Sequence, residues 1–186
     1  MAVSLQKGQK VSLKKDLNGG ADLGIIRMGL GWNVNPSAGT VDLDASCGLY
    51  DDQKRQVDVV WFRQLKSKCG SVVHSGDNLT GDGDGDDEVI SVNLNKVPAN
   101  VHHIVFAVTS FRGQKFDVVD GAFVRIVNDA NNKELCKYEL TAKTPNTAMV
   151  MARLYRHNGE WKFAALGEPA DGKTVGDLAA KIQTLF

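Results

Sequence analysis

Apolar and polar residues alternate with a period of two along most of the chain, which is the pattern of half-buried β-strands. In IIRMGLGWNV (25–34), one face is apolar, whereas Gly29 and Gly31 leave the other face open to close approach of another backbone. Asn158-Gly159, between two alternating runs, predicts a hairpin with a type I′ turn. The same alternation predicts further strands over 57–62, 89–94, 103–108, 122–127 and 134–140.

The last segment of the chain carries a helical period instead. Thr174 and Asp177 have the spacing of a capping box. The apolar residues that follow share one helical face: Val175, Leu178, Ile182 and Leu185. The sequence therefore predicts a mainly β protein, an antiparallel β-sandwich with a short C-terminal helix, and a β-barrel is the alternative. With 186 residues, the chain is predicted to form a single domain over 1–186.

One stretch, HSGDNLTGDGDGDDE (74–88), contains five aspartates and one glutamate but no lysine or arginine. The whole chain, in contrast, has 22 acidic and 22 basic residues and is 42% hydrophobic, which excludes a disordered acidic protein. The acidic segment joins two predicted strands, and its glycines would allow carboxylate and carbonyl oxygens to turn inward together. Such oxygen ligands favour calcium, and the alternative is a solvated loop whose charge serves solubility.

A second acidic feature lies in GTVDLDAS (39–46), where Asp42 and Asp44 alternate with apolar residues. A strand would place both carboxylates on one face, roughly 7 Å apart. Two like charges on one face are unfavourable unless a cation lies nearby. A metal ion would supply that cation, and a neighbouring lysine or arginine is the alternative.

Other kinds of metal site fit the sequence less well. With Asp82 as position 1 of an EF-hand, Asp84 and Asp86 fall at positions 3 and 5, but Asp87 stands where glycine is needed and Asn93 stands at position 12. A calcium-binding β-helix needs tandem repeats, and this run occurs once. Zinc is disfavoured because cysteine and histidine are sparse nearby, so His74 is interpreted as a strand-end residue.

These segments together resemble the TerD family of tellurium-resistance and stress-response proteins. The resemblance runs from about Gly29 to Ala165 and rests on GLGWNV, VDLDAS, VDVVWFRQLKS, GSVVHSGDNLTGDGDGDDE and NTAMVMARLYRHNGEWKF. It implies a β-sandwich that holds two calcium ions between the D-x-D strand and the acidic segment. The metal ligands it implies are Asp42, Asp44, Asp77, Asn78, Asp82, Asp84, Asp86, Asp87 and Glu88.

The resemblance also implies a setting for the protein. It implies a cytoplasmic bacterial protein with other Ter-family proteins as partners and a membrane-spanning Ter partner that links it to the membrane. The chain itself shows no leader pattern and no run of roughly 18 apolar residues, so no direct membrane insertion is expected, and no nucleic acid is expected as a partner. Two positions depart from the family pattern: Asn33 replaces a common aspartate, and Arg63 replaces a common asparagine and can donate no oxygen ligand.

No catalytic motif accompanies these acidic residues. The chain lacks the nucleophile elbow G-x-S-x-G, a P-loop and H-E-x-x-H. The absence of these motifs predicts a non-enzymatic protein, and the resemblance implies a calcium-dependent interaction module of a tellurite-resistance and stress-response system. Two alternatives stay open: a metal-dependent phosphoryl hydrolase, and a calcium-dependent adaptor that binds anionic lipid.

Overall fold

The computed structural model describes residues 2–19, 23–34, 42–76, 85–139 and 143–186, apart from the side chains of residues 33, 34 and 120. Within these ranges the chain forms strands, one short α-helix and two 3-10 turns. The strands are β1 (Val3–Ser4), β2 (Lys10–Ser12), β3 (Ile25–Val34), β4 (Leu43–Tyr50), β5 (Gln56–Val60), β6 (Val72–His74), β7 (Glu88–Asn93), β8 (His103–Ser110), β9 (Val119–Asn128), β10 (Lys133–Glu139), β11 (Ala148–His157) and β12 (Glu160–Ala170). The 3-10 turns are Phe116–Val118 and Val175–Leu178, and the helix α1 is Ala179–Gln183.

The strands form two six-stranded sheets that share one hydrophobic core. The first sheet has the order β1-β10-β9-β3-β7-β6, and the second has the order β2-β12-β11-β8-β4-β5. All neighbouring strands are antiparallel except β1 and β10, which are parallel. Buried residues of both sheets form the core, among them Ile26, Met28, Ala45, Cys47 and Phe106. The predicted antiparallel-rich β-sandwich is confirmed, and the barrel alternative is wrong because the two sheets stay separate.

Local sequence patterns determine several of these elements. β3 coincides with the alternating segment 25–34. The predicted hairpin joins β11 to β12, and Asn158 and Gly159 have positive φ angles of 50° and 75°, as a type I′ turn requires. The pattern did not predict β1 and β2, because strands of two and three residues are too short to show an alternation.

The C-terminal segment lies on the outer face of the second sheet. The carboxylate of Asp177 accepts a hydrogen bond from the Thr174 N–H at 3.0 Å, as the predicted capping box requires. The first turn is 3-10, so the α-helix itself has five residues and is shorter than the apolar pattern indicates. Leu178 and Ile182 are buried against an apolar cluster that includes Tyr50.

Within the ranges that the structure describes, none of the helical segments has the length and apolar character needed to traverse a bilayer.

Candidate metal centre

The D-x-D segment lies at the start of β4 and has the predicted alternation. Leu43 and Ala45 belong to the core, and Asp42 and Asp44 alternate with them, yet these two aspartates are only 5% and 6% exposed. The Nε atom of Arg112 lies 3.3 Å from Oδ2 of Asp42, so an arginine offsets part of this charge. Oδ1 of Asp42 is buried and accepts no hydrogen bond within the described residues. A buried carboxylate oxygen without a hydrogen bond destabilises the folded state unless a donor or a cation reaches it.

Glu88, at the start of β7, bridges the two sheets. Its side chain is 1% exposed, and Oε2 accepts a hydrogen bond from the backbone N–H of Ala45 at 2.5 Å. His74 completes the arrangement: Nε2 lies 3.1 Å from the Ala45 carbonyl oxygen and 3.3 Å from Oε2 of Glu88. The side chains of Glu88 and His74, from the first sheet, thus form hydrogen bonds with the backbone N–H and C=O of Ala45. Ala45 precedes the residues of β4 that pair with β5. We call this arrangement of His74, Glu88 and Ala45 the sheet clasp.

The imidazole of His74 has a defined tautomer in the sheet clasp. The backbone N–H of Gly76 donates a hydrogen bond to Nδ1 at 3.0 Å. Because Nδ1 is the acceptor, the ring proton lies on Nε2 and points toward the Ala45 carbonyl and the Glu88 carboxylate. His74 therefore holds the end of the acidic segment in place through hydrogen bonds, as expected of a strand-end residue.

Residues 85–87, at the C-terminal end of the acidic segment, extend the first sheet on the N-terminal side of β7. The backbone N–H of Asp87 donates a hydrogen bond to the Leu30 carbonyl at 2.8 Å. The carboxylate of Asp87 accepts a hydrogen bond from the Trp32 N–H, also at 2.8 Å. Both bonds attach residues 85–87 to β3, which lies beside β7 in the sheet. The acidic segment is thus anchored at its C-terminal end on the same strand that carries the two glycines.

Gly29 and Gly31 allow this segment to lie close to β3. A Cβ atom on Gly29 would lie 2.2 Å from the carboxylate of Asp86. A Cβ atom on Gly31 would lie 2.4 Å from the ring of Phe123 and 2.8 Å from the carbonyl oxygen of Gly85. The predicted close approach of another backbone is confirmed at Gly31, which meets the Gly85 carbonyl, whereas the space beside Gly29 is filled by the side chain of Asp86.

Replacing Gly31 with alanine is expected to destabilise the fold by about 1–3 kcal/mol, the usual cost of overpacking, because a ring or a backbone carbonyl must move. The measurement is urea unfolding. Gly24→Ala is the matched control, since its nearest contact would be an ordinary 3.6 Å. Equal stabilities of the two variants would show that the Phe123 ring and the Gly85 carbonyl move aside without cost.

Asp86 forms an ion pair with an arginine of β9. Arg125 donates to its two carboxylate oxygens, with Nε–Oδ1 at 2.7 Å and Nη2–Oδ2 at 3.2 Å, and to Glu134 at 2.9 Å. The hydrogen bond to Asp86, together with the one to Glu134, raises the pKa of Arg125 above its ordinary value. Local sequence patterns do not predict this pair, because Asp86 and Arg125 are 39 residues apart and meet only in the folded chain.

Five of the nine predicted ligands lie within the residues that the structure describes. Asp42 and Asp44 lie at the start of β4, and Asp86, Asp87 and Glu88 lie at the junction of the acidic segment with β7. The remaining predictions, Asp77, Asn78, Asp82 and Asp84, fall outside the described residues, as does the side chain of Asn33. Within the described ranges no three His, Cys, Asp or Glu side chains form a group that could hold a metal. The metal-ligand assignment therefore stays a prediction.

Arg63, the second departure from the family pattern, lies beside aromatic rings. Its guanidinium is 5.7 Å from the ring centre of Trp61 and 5.4 Å from that of Phe62. These distances are those of cation–π contacts. The Arg63 side chain thus contacts the two aromatic residues that directly precede it in the sequence.

Comparison with known proteins places the chain among relatives of similar length. A tellurium resistance protein TerZ from Serratia marcescens is 47% identical over 190 residues, which cover 97% of this chain and 96% of that protein. General stress protein 16U from Bacillus subtilis (strain 168) is 47% identical over 182 residues, covering 92% and 93%. The crystal structure of a TerD homologue from Streptomyces coelicolor A3(2) has the same fold, with a TM-score of 0.71 at 23% identity, covering 85% of this chain and 96% of that one. Because the TerD domain model also matches residues 1–181, the chain belongs to the TerD family.

Proposed function

We propose that the protein is a calcium-binding interaction module, without enzymatic activity, of a bacterial tellurium-resistance and stress-response system. The observation that carries the proposal is the pair of nearly buried carboxylates on Asp42 and Asp44, with Oδ1 of Asp42 lacking a hydrogen-bond donor in the described part of the chain. A cation at this position would relieve both the desolvation and the repulsion.

The donor set fits calcium better than other metals. The side chains at the start of β4 and at residues 86–88 offer carboxylate oxygens, which are acceptors only when ionised. Calcium prefers six to eight such oxygens and tolerates irregular geometry. Asp42 and Asp44 would hold the ion from β4, and the acidic segment would hold it through the ligands named above. A bound ion would supply positive charge and would join the segment to the strand.

The relatives support the setting of this proposal. TerZ is named for tellurium resistance, and protein 16U is named for general stress. These names describe a resistance or a response rather than a reaction, which supports a non-enzymatic role. We place the protein in the cytoplasm, with other Ter-family proteins and a membrane-spanning Ter protein as its partners.

The first test is titration calorimetry with calcium and with magnesium. We expect calcium to bind more tightly, because magnesium demands a compact octahedral site and loses its water reluctantly. Asp42→Asn and Asp44→Asn should each weaken calcium binding at least about tenfold, since even residues that only support metal ligands contribute about 10–100-fold. Asp52→Asn, at an exposed turn, is the control. Equal affinities for the two ions, or unchanged binding in both β4 variants, would contradict the proposal.

Arg112 provides a complementary test. If an ion binds Asp42, it competes with the arginine that lies 3.3 Å from Oδ2. Arg112→Gln should therefore tighten calcium binding several-fold, because removing a nearby positive charge favours a cation. If Arg112 is instead the counter-ion that Asp42 requires, the same variant destabilises the protein and leaves calcium binding unchanged.

A further inference from the structure

Three aromatic side chains form a cluster at the surface, outside the candidate metal centre. The ring centres of Trp61 and Phe62 are 4.9 Å apart, and those of Phe62 and Phe111 are 5.6 Å apart. Phe111 is 41% exposed, and the other two are half-buried. In the described part of the chain, four large hydrophobic side chains are exposed, and two of them, Leu65 and Phe111, belong to the segments that carry these rings. Such a concentration of exposed apolar side chains marks a binding surface.

The same region carries an excess of positive charge. Residues 58–76 contain Arg63, Lys66 and Lys68 against one acidic residue, Asp58, whose carboxylate accepts hydrogen bonds from the Gln64 side chain and the Lys68 N–H. Residues 111–115 add Lys115 and Arg112, of which Arg112 is paired with Asp42. All five cationic side chains are exposed. The whole chain is formally neutral, so this concentration of positive charge is local. We call segments 61–68 and 111–115 together the basic aromatic surface.

We propose that the basic aromatic surface docks peripherally on an anionic lipid membrane. Tryptophan is favoured at the level of the lipid headgroups, and lysine and arginine side chains are attracted to an anionic leaflet. Phe111 and Leu65 are exposed enough to enter the boundary between headgroups and acyl chains. The inference concerns residues outside the predicted ligand set and does not require a bound calcium ion.

Two other partners fit this surface less well. Nucleic acids are bound through aromatic faces that are free to stack on bases. Here the rings pack edge to face, at interplanar angles of 62° and 78°, and Arg63 lies over two of them. A second copy of the chain in a symmetric dimer would bring the same positive charges face to face.

The surface is continuous with the candidate metal centre through Arg112, which follows Phe111 and approaches Asp42. Calcium bound at Asp42 would make this end of the molecule more positive. We therefore expect calcium to strengthen membrane binding, through the same charges that attract the lipid.

The test is cosedimentation of the protein with vesicles, in chelator and in calcium. The vesicles contain either phosphatidylcholine alone or phosphatidylcholine mixed with anionic phosphatidylglycerol. We expect binding to the anionic vesicles only, with a decrease as salt is raised, since the screening length falls to about 10 Å at 0.1 M. Reversing two charges, Arg63→Glu with Lys66→Glu, should weaken binding at least about tenfold. Phe111→Ser should also weaken it, by removing an apolar contact.

Matched controls make the outcome specific to this surface. Lys133→Glu with Lys173→Glu makes the same change in net charge at other exposed positions, and Ile25→Ser removes another exposed apolar side chain. Both controls should bind like the unchanged protein. Circular dichroism confirms that each variant is folded.

Several results would overturn the inference. These are no binding to anionic vesicles in either buffer, equal loss in the control variants, and stronger binding to a single-stranded oligonucleotide or a poly-glutamate peptide than to vesicles. Self-association that the surface variants abolish would also overturn it, in favour of a second copy. Binding that depends on Arg63, Lys66 and Phe111 supports the inference, even where calorimetry finds no calcium site.

Discussion

Replacing Glu88 with alanine is expected to lower the free energy of unfolding by about 1–3 kcal/mol for each buried hydrogen-bond donor that it leaves without an acceptor. Its carboxylate is 1% exposed and accepts a hydrogen bond from the Ala45 N–H. Truncation leaves this N–H and the Nε2–H of His74 without that acceptor in a buried place. Glu88→Gln should cost less, because the amide oxygen can still accept one hydrogen bond.

Urea unfolding in the presence of a chelator measures this loss without any contribution from a metal. Glu139→Ala is the matched control, since Glu139 is 66% exposed and pairs with Lys137 at the surface. Exposed pairs of this kind contribute about 0–1 kcal/mol. If Glu88→Ala costs no more than Glu139→Ala, the sheet clasp does not hold the two sheets together.

Removing calcium is expected to lower the melting temperature by about 5–10 °C. A ligand that binds only the folded state adds RT ln(1 + [L]/Kd), which is about 2.7 kcal/mol at one hundred times Kd. For a chain of this size each kcal/mol shifts the melting temperature by roughly 2–4 °C. The physical reason is repulsion among the five aspartates and one glutamate of 77–88, with Asp42 and Asp44 as additional charges.

Differential scanning calorimetry and hydrogen exchange, each with calcium and with chelator, make this measurement. Amide protection should fall first over residues 75–88 and should persist in the hairpin around Asn158-Gly159. In the combined variant Asp42→Asn and Asp44→Asn, calcium should no longer raise the melting temperature. A melting temperature and an exchange pattern that do not respond to calcium would identify the acidic segment as a solvated surface feature.

Neighbouring residues alone determined much of the fold, because strand formation and turn geometry depend on local patterns. The alternation in 25–34 gives β3, and Asn158-Gly159 gives the hairpin, since positive φ angles suit these two residue types. The alternation around Asp42 and Asp44 also predicted correctly that Leu43 and Ala45 enter the core. The use of Gly31 for close approach of another backbone followed from the same local reasoning.

Contacts between distant residues were decided by the tertiary structure. The sequence proposed a metal or a neighbouring cation for the aspartates, and the fold brings Arg112 to Asp42 and Arg125 to Asp86. The sheet clasp was likewise invisible in sequence, because the donor to the Glu88 carboxylate is the backbone N–H of Ala45 on the opposite sheet. Strand order and register determine which side chains meet, and these depend on the packing of the whole core rather than on any local pattern. The sequence by itself therefore identified a family, most of the strands and an unusual concentration of acidic residues. Only the folded chain showed which arginines and which backbone atoms those acidic residues contact.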